Sequence, residues 1–221
     1  IRKVQVTKPD GSVRETWQTF EQSLSEPWYN LYYDYAALVI ALPELGPGDI
    51  VEVRYIVEQS ASTNILGDYF GDIQTLQDGA PKVLSRYTLL ASPARTIVAR
   101  KPKLPHEYTE SETPEGLRAR SWTFRDVPKI SAEESRPGYT EVGDYIHIST
   151  YATWDQVARW YWDLVDDQLV VDGDMRRIVA ETTKGIKDRR EIVAALHNWV
   201  VQNTRYVGLE FGIHGFKPYR T

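Results

Sequence analysis

The sequence predicts an α+β fold with the β part first: an antiparallel β-sandwich-like domain followed by a small helical segment. Two observations carry this. Up to about residue 130 the apolar residues come in short alternating runs punctuated by Gly, Pro and Asp, and after residue 150 they recur at helical spacing. A third observation favours a β-sandwich over a parallel sheet: no helical crossover pattern lies between the early runs.

The elements follow in order. "IRKVQVT" and "SVRETWQTF" flank Lys8-Pro9-Asp10-Gly11, a strong hairpin signal. "YAALVIALP" (35–43) is too short for a membrane helix and fits a buried strand over 37–42. "PELGPGD" (43–49) reads as a turn, because Pro43, Gly46, Pro47 and Gly48 break regular structure. In "DIVEVRYIVE" (49–58), Val51, Val53, Tyr55 and Val57 share one face, which predicts a half-buried strand. Further strands are expected in 82–91, 95–100 and 117–127. The polar stretch 129–144 reads as irregular, and "YIHIST" (145–150) alternates.

Thr153 with Gln156 forms a capping-box start, and Trp154, Val157, Tyr161, Leu164 and Val165 follow at helical spacing. A second helix is expected from Asp174 to about Lys184, ended by Gly185. A third starts at Asp188 and Glu191 and carries Ile192, Leu196, Trp199 and Val200 on one face. "TRYVGL" (204–209) reads as a short extended segment.

Composition narrows the function. A hydrophobic fraction of 42% and a charged fraction of 26% are those of a globular protein. The net charge of −5 and the scattering of basic residues argue against nucleic acid. The absence of cysteine removes disulfides, thiolate metal sites and cysteine nucleophiles together. It suits an oxidising bacterial periplasm or cell envelope without deciding the compartment. The first residue is Ile1, so the sequence is expected to be an excerpt or a processed chain.

No residue pattern makes a strong active site. His214 sits between glycines in "GIHGF", where it could serve as a base, but no Ser, Cys or Asp stands beside it as a partner; it is expected to line a cleft at most. His197 is expected to pack or to make a local hydrogen bond within its helix, His147 to face away from Ile146 and Ile148, and His106 to be solvated. The four histidines have no metal-ligand spacing, and the Gly-Asp repeats of "NILGDYFGD" (64–72) supply too few oxygens for a calcium loop. No cofactor is expected, since phosphate loops, nucleotide fingerprints and nucleophile elbows are missing. The aromatic cluster "WYNLYYDY" (28–35) offers more. As a strand it would put Tyr29, Tyr33 and Tyr35 on one face and Trp28 and Tyr32 on the other, a platform for a sugar or peptide if exposed and ordinary sheet cover if not. The candidate ligand-binding or cleft-lining residues are therefore Trp28, Tyr32, Tyr206 and His214.

The segments 37–58, 67–93 and "WVVQNTRYVGLEFGIHGFKPYR" (199–220) resemble the bacterial module of unknown function that precedes transglutaminase-like domains. The resemblance implies a β-sandwich accessory domain over 1–130 with a clipped start and a linker over 131–150. Residues 151–221 would then hold the helices and approach segment of an incomplete papain-like domain. It further implies that a catalytic cysteine, followed by histidine and aspartate, lies beyond Thr221. On this reading the chain is a non-catalytic accessory segment that positions a catalytic domain or binds a protein or cell-envelope partner, and its C-terminal apolar residues favour self-association. An independent carbohydrate- or peptide-binding module using the exposed aromatics is the alternative, and an intrinsic enzyme built on His214 is a weaker third.

Overall fold

The Pro-Asp-Gly turn closes the hairpin it predicts. Strands β1 (Lys3–Thr7) and β2 (Val13–Arg14) pair antiparallel with Val6 opposite Arg14. Gly11 takes φ +83°, a conformation open to glycine. The Asp10 carboxylate accepts the Ser12 N–H at 2.9 Å, and the Ser12 hydroxyl first, then this N–H, hold Asp10 below its ordinary pKa. Strand β3 (Gln18–Ser23) is followed by β4 (Leu31–Tyr33), β5 (Ala36–Ala41) and β6 (Ile50–Arg54). β3 pairs antiparallel with β5, and β6 lies along the other edge of β1. Val4 and Val6 are buried opposite Val53 and Val51, which are 39% and 41% exposed. The half-buried face expected over 49–58 is thus only lightly covered, and the strand stops at Arg54. Lys3–Glu52 (2.7 Å) and Lys8–Asp49 (2.8 Å) tie the strand and its preceding turn back to β1.

Next come β7 (Gly71–Thr75), β8 (Lys82–Ala91), β9 (Val98–Arg100), β10 (Glu107–Glu112) and β11 (Arg118–Val127), then the short helix α1 (Tyr139–Val142) and β12 (Tyr145–Ser149). They make two three-stranded antiparallel sheets, ordered β10-β11-β8 and β7-β12-β9. The sheets share one core of Leu76, Leu89, Trp122, Phe124, Val127, Ile146 and Ile148, with Tyr87, Ile97 and Leu104 packed against it. The pleat explains the choice: Trp122 and Phe124 are two apart on β11, and Ile146 and Ile148 two apart on β12. The span expected as a linker over 131–150 therefore contains α1 and a central strand.

The helices are α2 (Trp154–Val165), α3 (Gly173–Thr182) and α4 (Arg189–Asn203), followed by β13 (Gly208–Glu210). Each helix begins where the sequence supplies acceptors. Gln156 Oε1 takes the N–H groups of Ala152 (2.6 Å) and Thr153 (3.1 Å), Asp172 takes that of Met175 (2.9 Å), and Asp188 those of Arg190 and Glu191. In α2 the periodicity misplaces two aromatics: Val157, Leu164 and Val165 face inward, whereas Trp154 is 84% exposed and Tyr161 is also exposed.

This computed structural model describes residues 1–42, 44–58, 66–131 and 133–220. The chain forms two compact units, Ile1–Ile65 with Tyr161–Thr221, and Leu66–Trp160. Antiparallel sheets with a few short helices make it an α+β fold with a sandwich-like β part. Among the described residues no helix is long and apolar enough to cross a membrane.

Candidate functional site

The four candidate residues from the sequence all lie in the unit that contains both chain ends. β13 pairs parallel with β4, setting Gly208 against Leu31, Leu209 against Tyr32 and Glu210 against Tyr33. The Gly208 N–H donates to Asn30 O (2.8 Å) and the Gly212 N–H to Asp34 Oδ2 (2.8 Å), so residues 30–34 grip residues 208–212 along their length. Gly208 lets the strands close up: a Cβ there would lie 2.6 Å from Leu31 Cδ2.

The aromatic stretch is not a single strand, however. Pro27–Tyr29 form one 3-10 turn because Pro27 sits at its first position, and Asn30 closes it in the left-handed conformation (φ 57°). Trp28 therefore does not share a pleated face with Tyr32. It stands out at 75% exposure, edge-on to Tyr29 with ring centroids 6.3 Å apart. The expected pairing of Tyr33 with Tyr35 does form, at 5.0 Å. Burial first, then the Glu210 carboxylate, pushes the Tyr33 hydroxyl above its ordinary pKa. Tyr206 is 75% exposed at the approach to β13.

His214 is engaged in local structure. Its ring stacks on Tyr219 (3.7 Å, 12°), and Nδ1 meets the Lys217 carbonyl at 2.9 Å. Both contacts close the turn Gly212–Gly215, and among the described residues no acid or nucleophile is bonded to the ring. Lys217 and Arg220 reach Asp167, at 2.8 Å to its carboxylate and 2.7 Å to its carbonyl, and the lysine first of all keeps that carboxyl below its usual range.

The other histidines divide. His147 faces away from the buried Ile146 and Ile148, as the alternation requires. His106 is half-buried rather than solvated: Nδ1 bonds the Leu104 carbonyl (2.8 Å), and its ring lies 5.3 Å from Phe124. His197 is exposed rather than packed. The loop 64–72 falls partly outside the described residues; from it, Asp72 accepts the Tyr87 hydroxyl at 3.0 Å.

Two clefts that sequence reasoning missed lie in Leu66–Trp160, one on each face of β9. The outer, about 540 Å³, is framed by Tyr69, His147, Tyr151 and Trp154, with Tyr69 and Tyr151 rings 4.8 Å apart. The inner, about 520 Å³, is lined by Lys101, His106, Tyr108, Arg120 and Trp122. Ala99 and Arg100 belong to both. Arg100 is already employed: it reaches Asp144 Oδ1 (3.0 Å) and Tyr145 O (2.8 Å) and lies 4.0 Å over the Tyr145 ring. Asp144 also accepts the N–H groups of Lys103 (2.6 Å) and Leu104 (2.7 Å). Burial alone would raise its pKa, but the Leu104 N–H and the Arg100 guanidinium outweigh that and leave it lowered. A signal for the inner cleft was present in "LRARSWTF": Arg120 has the same strand parity as Trp122 and Phe124, a cation on the core-facing row.

No curated protein matches the chain in sequence. A crystal structure of a candidate protease from Parabacteroides distasonis shares its fold, with a TM-score of 0.60 at 15% identity. The match covers 91% of this chain and 39% of that one, so the chain spans about two fifths of that protein's length. Residues 1–131 match the family described as a domain of unknown function with a solved structure, and the chain belongs to that family, DUF3857.

Proposed function

We propose that this chain is a non-catalytic accessory segment of a longer bacterial transglutaminase-like protein, whose β module braces the segment leading into a cysteine-dependent catalytic domain. The observation that carries the reading is the parallel pairing of β4 with β13. β4 lies inside the family-matched residues 1–131 and β13 lies beyond them, so the module holds the segment that follows α4. Such bracing matters to catalysis because a nucleophile misplaced by about 1 Å can cost a hundredfold in rate. The fold shared with part of a longer candidate protease supports the same reading. A periplasmic or cell-envelope location is proposed with it, supported by the lack of cysteine.

Two measurements test this. The chain by itself should turn over neither peptide amides nor glutamine–lysine transamidation substrates, and sustained turnover abolished by His214→Ala would replace the proposal with an intrinsic enzyme. In the longer parent protein, Asp34→Ala should lower kcat while leaving substrate binding intact. Full turnover with the 208–212 amides demonstrably released would remove the bracing role.

The exposure of Trp28, Tyr29 and Tyr206 favours a second reading, in which these aromatics bind an envelope glycan. Glycan titrations that respond to Trp28→Ala with Tyr206→Ala would support it, and absent or unchanged binding would end it.

A further inference from the structure

Strand β9 ends its sheet: the order is β7-β12-β9, and Val98 and Ala99 are exposed. Its pleat separates the two clefts. Ala99 lies opposite the buried Ile148, so it and Lys101 point to the inner side, while Val98 and Arg100, opposite Ser149 and His147, point to the outer. A strand added to the free edge of β9 would therefore send alternate side chains into two chemically different clefts.

The inner cleft carries uncommitted positive charge. Among the described residues neither Arg120 nor Lys101 takes part in an ion pair. Glu110, across the ladder from Arg120, is occupied by the Tyr108 hydroxyl (2.8 Å) and by Arg118 (3.5 Å). Arg120 is held 5.9 Å over the Trp122 ring. His106 has Nδ1 on a carbonyl, which leaves Nε2 as its remaining polar atom. Such a cationic recess in a chain of net charge −5 selects a carboxylate. The outer cleft offers Tyr69, Tyr151 and the exposed indole of Trp154, which select apolar or aromatic groups.

We propose that β9 receives an extended peptide from a partner protein as an added strand. An acidic side chain enters the inner cleft against Arg120 and Lys101, and the residues on either side of it place apolar or aromatic side chains in the outer cleft. Main-chain hydrogen bonds along the edge supply affinity, and the alternating pockets supply the sequence preference. The three-residue length of β9 makes this a weak, reversible contact.

The test uses the whole chain, ¹⁵N-labelled, titrated with acetyl-Ser-Phe-Glu-Phe-Ser-amide. Expected are shifts of the amides of 97–101 and of the Trp154 indole. Replacing the peptide Glu by Gln, or Arg120→Gln in the protein, should weaken binding about tenfold, the scale of one charge-assisted hydrogen bond. N-methylating the peptide amides one at a time should abolish binding at whichever position faces β9. The peptide Glu→Gln arm does not depend on how well the Arg120 variant folds. Three results overturn the proposal: no shifts at millimolar peptide, equal binding of the Gln peptide, or shifts confined to the inner cleft and reproduced by acetate alone. The last would mean a simple anion site without strand addition.

Discussion

Replacing Asp144 by alanine should be one of the most destabilising single changes in the Leu66–Trp160 unit. The side chain is 5% exposed and accepts three hydrogen bonds, from the Lys103 and Leu104 N–H groups and from Arg100. Arg100 keeps the Tyr145 carbonyl and ring, but the two backbone donors lose their acceptor. At about 1–3 kcal/mol for each donor left without its part-buried acceptor, plus the broken ion pair, the loss should be about 3–5 kcal/mol. Urea unfolding followed by tryptophan fluorescence reads this directly, since Trp122 lies in the core of the unit. The pH dependence provides an independent check. The folded-state pKa of Asp144 lies below its model-compound value of 3.8. The stabilisation is therefore full above the unfolded value and is lost as pH falls through the folded one. Asp144→Asn should differ most from the parent near neutrality and converge on it as pH falls through the lowered folded-state pKa. A loss under about 1 kcal/mol in Asp144→Ala, or a gap unchanged from neutral to strongly acidic pH, would refute the reasoning.

Three further outcomes are expected. Gly143→Ala should displace Tyr139, because a Cβ would lie 2.5 Å from its ring; Tyr139→Phe should mimic it at a cost of about 1–3 kcal/mol, since the hydroxyl joins Gln77 N–H to the Asp144 carbonyl, and equal stability of both variants to the parent in thermal melts would contradict this. In alkaline titration followed by tyrosinate absorbance, the Tyr87 hydroxyl should ionise last and vanish in Tyr87→Phe, because burial and then Asp72 push its pKa far up; a complete titration with a single midpoint near 10 would refute it. His214→Ala should speed hydrogen exchange of the 212–217 amides while leaving Phe124 and its neighbours protected, and slowed or unchanged exchange at the terminus would show that its stacking on Tyr219 has no structural weight.

Where local chemistry dictated structure, the sequence was informative. The hairpin at Asp10-Gly11, the strand 82–91 and the cap at Asp188 rest on turn residues, alternation and side-chain acceptors within a few residues. β10 went unread because "EYTESE" is polar throughout and is held by its ladder to β11. Trp154 and Tyr161 were read as inward because periodicity alone cannot tell which edge of an apolar stripe is covered. At the candidate site, the left-handed Asn30 turned Trp28 out of the strand expected around it. The placing of Tyr32 against Leu209 depends on a pairing across more than a hundred residues, which no local pattern reports. The β9 clefts stayed hidden for the same reason, since their walls come from four strands (β9, β10, β11 and β12), a helix start and the loops beside them.

The discontinuous unit has a consequence for biosynthesis. Leu66–Trp160 is one uninterrupted stretch, so it can complete its core as soon as it clears the ribosome. Ile1–Ile65 is made first yet must wait for Tyr161–Thr221, because β4 has no parallel partner until β13 emerges. During that interval the earliest strands, with Phe20 and Leu38 facing water even in the finished fold, depend on short-range pairing alone. Contacts of such long sequence separation close slowly. Residues Ile1–Ile65 are thus secured later than the Leu66–Trp160 stretch that is made after them.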